Sequence, residues 1–95
     1  MLSFRLSNNA KDDLERLYLY GYARYGEAKA DEYYSSLFST FSRICENPHV
    51  YQSVDHLRPG YRRCPHGPDS IYYKISGSQI QIMAIIGGQD LDNFF

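Results

Sequence analysis

At Gly60 the spacing of the apolar residues changes. Upstream they recur every three or four positions, and downstream they alternate. Residues 60–86 read GYRRCPHGPDSIYYKISGSQIQIMAII, so an arginine pair, a tyrosine pair and an aliphatic run fall on successive extended segments. A chain with that switch has few ways to fold. Its helices come first and must pack on a sheet built mostly from its second half.

The second half divides at its turn residues. Tyr61–Cys64 reads as a strand ended by Pro65, and His66-Gly67-Pro68-Asp69 as a turn. Ser70–Ile75 is the next strand, Ser76-Gly77-Ser78 a tight turn, and Gln79–Ile86 the last strand, broken by Gly87-Gly88. In that last strand Ile80, Ile82, Ala84 and Ile86 alternate on one face, while Met83 and Ile85 make the other apolar too. Such a strand is expected at the centre of a sheet or under a cover.

The first half opens with a short alternating strand, Leu2–Leu6. Ser7-Asn8-Asn9 then offers capping side chains, and Asp12, Asp13 and Glu15 lie in the first turns, where the helix dipole favours acids. Ala10, Leu14, Leu17, Gly21 and Tyr25 form the inward stripe of a helix from about residue 9 to 25, closed by Gly26. A second helix runs from Glu27 to Asn47-Pro48 with Ala30, Tyr34 or Tyr33, Leu37, Phe41 and Ile44 inward. So short a joint makes the two helices an antiparallel hairpin. His49–Pro59 has no clear period and reads as a surface connection. The expected fold is α+β, in the order β-α-α-β-β-β, with an α-helical hairpin on one face of an antiparallel sheet.

Ninety-five residues, 43% of them hydrophobic, suffice for one domain spanning 1–95 with one core. The net charge of −1 argues against strong non-specific nucleic-acid binding. The charge is unevenly spread, however. Pro48–Ile86 holds Arg58, Arg62, Arg63 and Lys74 against Asp55 and Asp69, so a weak basic strip on the sheet is possible. No apolar run approaches the ~20 residues of a membrane span, and Met1-Leu2-Ser3-Phe4 is too short for a signal peptide. Cys45 and Cys64 imply no disulfide framework, which suits a reducing cytoplasm.

The ordered set Ala10-x-x-Asp13-Leu14-x-x-Leu17-x-x-Tyr20, Gly26, Ala30, Tyr34, Leu37, Pro48, Gly60-Tyr61-Arg62-Arg63 and Ile71-Tyr72-Tyr73 resembles the ParE branch of the ParE/RelE toxin superfamily. The resemblance covers nearly the whole length. It implies a growth-inhibiting toxin of a type II toxin–antitoxin module, one that binds and poisons DNA gyrase by trapping its cleaved-DNA complex and is neutralised by a cognate ParD-like antitoxin encoded beside it. A toxin dimer or a toxin–antitoxin hetero-oligomer is compatible with it. The RelE branch instead cuts messenger RNA in the ribosome, drawing on Arg, His, Lys or Tyr at and beyond the last strand. Here Gly87–Phe95 has none of these and carries two acids, which disfavours a ribonuclease. Arg58, Arg62, Arg63 and Tyr73 would have to serve alone in that alternative. A degenerate, non-toxic, antitoxin-binding member is a third reading. Gly87, Gly88 and Gln89 stand where ParE chains commonly carry a His or Arg.

The target-binding candidates are Arg62 and Arg63, which must point to opposite faces of a strand, together with Tyr73, Gln89 and Asp90. Tyr72 and Tyr73 likewise divide between the faces. The first helix has more large apolar side chains than one stripe can bury, so some of Tyr18, Leu19, Tyr20 and Tyr22, with Tyr33 and Phe38, line an antitoxin groove or a homodimer contact; Tyr18, Tyr22, Tyr33 and Phe38 are the antitoxin-binding candidates. Phe94-Phe95 reads as a flexible apolar tail held by the antitoxin or by a second copy. Cys45-x-x-x-His49 and Cys64-x-His66 lack zinc-site spacing, and His66 reads as a solvated turn residue. Ser70, Ser76 and Ser78 carry no triad signature. No catalytic residue, metal or cofactor is expected.

Overall fold

Ser7 turns the chain from strand to helix. Its hydroxyl accepts the Ala10 N–H at 3.0 Å and donates to the Met83 carbonyl at 3.0 Å, so one side chain caps the helix and ties it to the sheet. The computed structural model describes residues 2–87 and 91–95. Their elements are β1 (Ser3–Leu6), α1 (Asn8–Tyr25), α2 (Glu27–Glu46), β2 (Gln52–Ser53), β3 (Tyr61–His66), β4 (Asp69–Ser76), β5 (Gln79–Gly87) and α3 (Leu91–Phe94). Gly26 joins the two long helices at φ 92°, a conformation that penalises any side chain. Its N–H bonds the Tyr22 carbonyl at 3.0 Å.

The α+β layout with a helical hairpin on one face is as the sequence implies. The sheet order is β1-β5-β4-β3-β2. The sheet is mixed rather than wholly antiparallel, because β1 runs parallel to β5 with Phe4 opposite Ile80 and Leu6 opposite Ile82. Alternation shows which face of β1 is apolar but not which way the strand runs. β3 also runs on through Pro65 to His66, leaving a two-residue Gly67-Pro68 loop. Pro65 is tolerated there because β2 pairs only with Arg62 and Arg63, so beyond them β3 is an edge.

A bulge reorganises β5. Tyr72 pairs with Ala84 but Tyr73 with Ile82, which leaves Met83 as the extra residue. The four residues expected on one face are therefore split. Ile80, Ile82 and Ile85 face the helices with Ala10, Leu14, Leu37, Phe41 and Ile44. Ala84 and Ile86 face the other way and join Val54, Tyr61 and Tyr72 in a second core. Leu57, Leu91, Phe94 and Phe95 pack on that back face. Phe94-Phe95 is thus held by its own sheet, and Arg58 lies 5.1 and 5.3 Å from the two ring centroids. The expected surface connection before β3 buries Val54 at 3% exposure. Tyr25, expected inward, is 63% exposed, because it follows the stripe beyond the end of the sheet.

Candidate functional site

Beyond Leu6, β5 has no strand beside it, and side chains of α1 take that place. Asn9 Nδ2 donates to the Met83 carbonyl at 3.4 Å, the Ile85 N–H donates to Asp13 Oδ2 at 2.9 Å, and Arg16 Nη2 donates to the Ile85 carbonyl at 3.2 Å. Asp13 therefore does not serve the helix dipole as its position suggested, since α1 starts at Asn8 and its first turn holds no acid. Burial pushes the Asp13 carboxyl above its ordinary range, against the opposing pull of the Ile85 N–H and Arg16. This clamp ties α1 to the end of β5 and sets Arg16 at the edge of the hairpin's flank.

One flank is a groove of about 930 Å³ between the far half of the hairpin and the end of the sheet. Leu17, Tyr20, Gly21, Tyr25, Ala30 and Tyr33 supply its apolar wall, with Arg16, Lys29, Glu32 and Asp69 at its polar margin. Tyr20 is 59% exposed, so large aromatic area faces solvent here. Tyr33 forms part of the wall. Its hydroxyl donates to Asp69 Oδ2 at 2.7 Å, and burial together with that bond pushes its ionisation well above the usual tyrosine range.

Behind Tyr33, His66 is not solvated. Its Nε2 lies 2.9 Å from Ser36 Oγ and its Nδ1 3.1 Å from Thr40 Oγ1, which also accepts from Arg43 Nη2 at 2.8 Å. Burial, and secondarily Arg43, lowers the His66 pKa, while Asp69 works in the other direction. Both ring nitrogens are engaged, so His66 braces β3 against α2.

The other flank carries an aromatic ladder. Tyr18 stacks at 6.4 Å from Tyr22 and 5.8 Å from Tyr34, and Tyr34 lies 5.0 Å from Phe38. Phe38 continues inward to Phe4 and Phe41 and is largely a core residue. The Tyr18 hydroxyl donates to Asp31 at 2.6 Å, which pushes its pKa up to about 12. Three of the antitoxin-binding candidates, Tyr18, Tyr22 and Phe38, thus share this flank, and Tyr33 lies on the groove. Leu19 and Tyr20 belong to the same set that one stripe cannot bury and are each 59% exposed, whereas Tyr25 was expected inward. A helix that overruns its sheet cannot be read from spacing alone.

The arginine pair divides as expected. Arg62 donates to the Tyr51 carbonyl at 2.8 Å and braces the loop after α2, while Arg63 donates through Nε to Ser70 Oγ at 2.9 Å on the back face. Tyr73 is wholly buried under the helices and its hydroxyl donates to the Pro48 carbonyl at 2.7 Å, so it is a core residue with no surface for a target. Gln89 and Asp90 lie outside the described residues, as does Gly88. Cys45 and Cys64 both fill the main core, and burial raises both thiols. Among the described residues, no group of three or more metal-ligating side chains converges, and no helix is long and apolar enough to cross a membrane.

This architecture and its sequence have relatives. The family model described as the ParE toxin of the type II toxin-antitoxin system, parDE, matches residues 4–91. Toxin ParE1 of Caulobacter vibrioides is 35% identical over 86 residues, covering 90% of this chain and 88% of that protein. Toxin ParE1 of Mycobacterium tuberculosis is 31% identical over 74 residues, covering 78% and 76%. A solved structure described as a chromosomal ParDE TA system from P. aeruginosa shares the fold at a TM-score of 0.80 and 21% identity, over 92% of this chain and 96% of that one. The chain belongs to the ParE toxin family of type II toxin–antitoxin systems.

Proposed function

We propose that this toxin arrests bacterial growth by binding DNA gyrase in the cytoplasm, and that a cognate antitoxin encoded beside it silences it. The observation that carries this reading is the family match, which runs through both helices and all five strands, from residue 4 to 91. Action by binding rather than by catalysis is part of the proposal. Five titratable groups of the core and the groove wall support it, because burial favours the neutral form of each. Tyr33, Tyr73, Cys45 and Cys64 are raised and His66 is lowered. None is poised to move a proton in an open site.

The antitoxin would cover the hairpin. Exposed tyrosines on both flanks, with a groove between hairpin and sheet, suit an amphipathic helix that folds as it binds. The family match does not extend to which flank is used, so Tyr18, Tyr22, Tyr33 and Phe38 are proposed contacts on the strength of their placement.

The test is expression. Induction of the chain alone should arrest growth, and co-expression of the protein encoded beside it should restore growth. Gyrase supercoiling and mRNA integrity are followed in the same cells. Lost supercoiling with intact mRNA supports the proposal. Codon-specific mRNA cuts would assign the chain RelE-type activity, and the absence of arrest would make it a non-toxic antitoxin binder.

A further inference from the structure

Strand register sorts the charges of the sheet. Arg5 lies opposite Gln81, Gln81 opposite Lys74, and Lys74 opposite Tyr61. Lateral partners share a face, and Tyr61 belongs to the back-face core, so this row crosses the sheet on the side away from the helices. With strands roughly 4.8 Å apart, the Arg5 and Lys74 backbones stand about 10 Å apart. The neighbouring row, Ser3 opposite Gln79 opposite Ser76, is polar throughout.

Nothing acidic on the strands opposes these cations. β1, β3 and β5 contain no Asp or Glu. The one acid of β4, Asp69, is on the helix side, bonded by Tyr33. Asp55, in the loop before β3, accepts the Gly60 N–H at 2.8 Å. The apolar end of the same face is covered, with the Phe95 ring 5.1 Å from Tyr72 and 5.9 Å from Tyr61. The open end is therefore a strip of cations, amides and hydroxyls, with the Tyr61 and Tyr72 rings buried beside it.

We propose that this strip binds the phosphate backbone of duplex DNA. Arginine and lysine supply charge, and glutamine and serine donate hydrogen bonds to phosphate oxygens. Tyr61 and Tyr72 are each only 4% exposed, so neither offers the strip a platform for stacking single-stranded bases. A five-stranded sheet is broader than the two-stranded ribbon that a major groove admits, so its contacts fall on phosphates and binding is independent of sequence. The net charge of −1 gives no long-range attraction, which leaves contact within the strip to do the work. A toxin that meets gyrase on DNA would gain a second foothold, yet the proposal concerns the chain alone and stands apart from gyrase action.

Fluorescence anisotropy of a short fluorescein-labelled duplex, titrated with the purified chain at several salt concentrations, tests it. Two phosphate contacts predict a log–log salt slope near roughly −2. The double variant Arg5→Gln/Lys74→Gln should flatten the slope and weaken binding roughly tenfold or more at low salt. The charge-preserving pair Arg5→Lys/Lys74→Arg should retain binding, which separates lost charge from lost folding. Failure of the wild-type chain to bind at low salt, or undiminished binding by the neutral double variant, overturns the proposal. Tighter binding of a single strand does so too. Equal competition by poly-glutamate at matched charge would make the strip an acidic-protein site and also overturn it. The supercoiling assay reads the gyrase proposal separately, so the two can fail independently.

Discussion

The Asp13 carboxylate accepts the backbone N–H of Ile85 at 2.9 Å, joining residues 72 apart in the chain. Ile85 follows the Met83 bulge, where β5 has outrun β1, so its outward N–H has no strand to receive it. Asp13 is only 9% exposed, and Arg16 completes the pairing by reaching the Ile85 carbonyl. An unpaired buried amide costs about 1–3 kcal/mol. Asp13→Ala should therefore lower unfolding free energy by about 2 kcal/mol. Asp13→Asn keeps an acceptor oxygen and removes a charge that burial opposes, so it should be clearly milder. Urea denaturation of the two variants checks the order, and equal losses would contradict it.

Gly21 sits inside α1, where glycine disfavours the helix. A Cβ added there would lie 3.7 Å from Ala30, an ordinary contact. Gly21→Ala should therefore stabilise the fold by up to about 1 kcal/mol, seen as a raised Tm. A lowered Tm would show that the hairpin needs the closer approach.

Protonation of His66 is opposed by burial and by Arg43, with only Asp69 favouring it. Its folded pKa lies below the ordinary 6.5, so the unfolded chain takes up the proton first as pH falls. The stability it contributes is complete above the unfolded pKa and is lost as pH falls through the lower folded one. His66→Gln should flatten the decline in unfolding free energy between about pH 7 and pH 5 relative to the wild type. Parallel slopes in the two proteins would rule this out.

The exposed ladder supplies a test of antitoxin docking. Tyr22 is 51% exposed, and the Tyr18 hydroxyl bonds an exposed acid, so neither ring is central to the core. Tyr18→Ala/Tyr22→Ala should leave the Tm nearly unchanged and weaken the antitoxin complex by roughly 2 kcal/mol or more. Isothermal titration of the co-purified partner measures it. Undiminished affinity would move the site to the groove at Tyr20 and Tyr25.

The local signals proved reliable where one residue type had one physical use. Ser7 as a cap, Gly26 as the joint between helices and the hairpin itself were legible because propensity and packing agree there. The bulge was not, since Ile82-Met83-Ala84-Ile85 is apolar throughout and fits either face arrangement. Asp13 was misassigned because an acid early in a helix has a ready local explanation, and its distant partner leaves no mark in spacing. Tyr73 has both a core and a surface use in the sequence, and the fold takes the core one, while half-buried Arg62 holds the loop after α2. The Phe94-Phe95 cover was foreshadowed by β5 itself, whose two apolar faces required one.

The central claim is gyrase poisoning, and the most direct measurement is made with purified components. Gyrase, supercoiled plasmid, ATP and the toxin are incubated, then protein is digested to reveal trapped breaks. Accumulation of linear plasmid that rises with toxin concentration, and disappears when antitoxin is added first, is the outcome this account predicts. Unbroken plasmid and undiminished supercoiling at saturating toxin, from a preparation that still binds antitoxin, would contradict it.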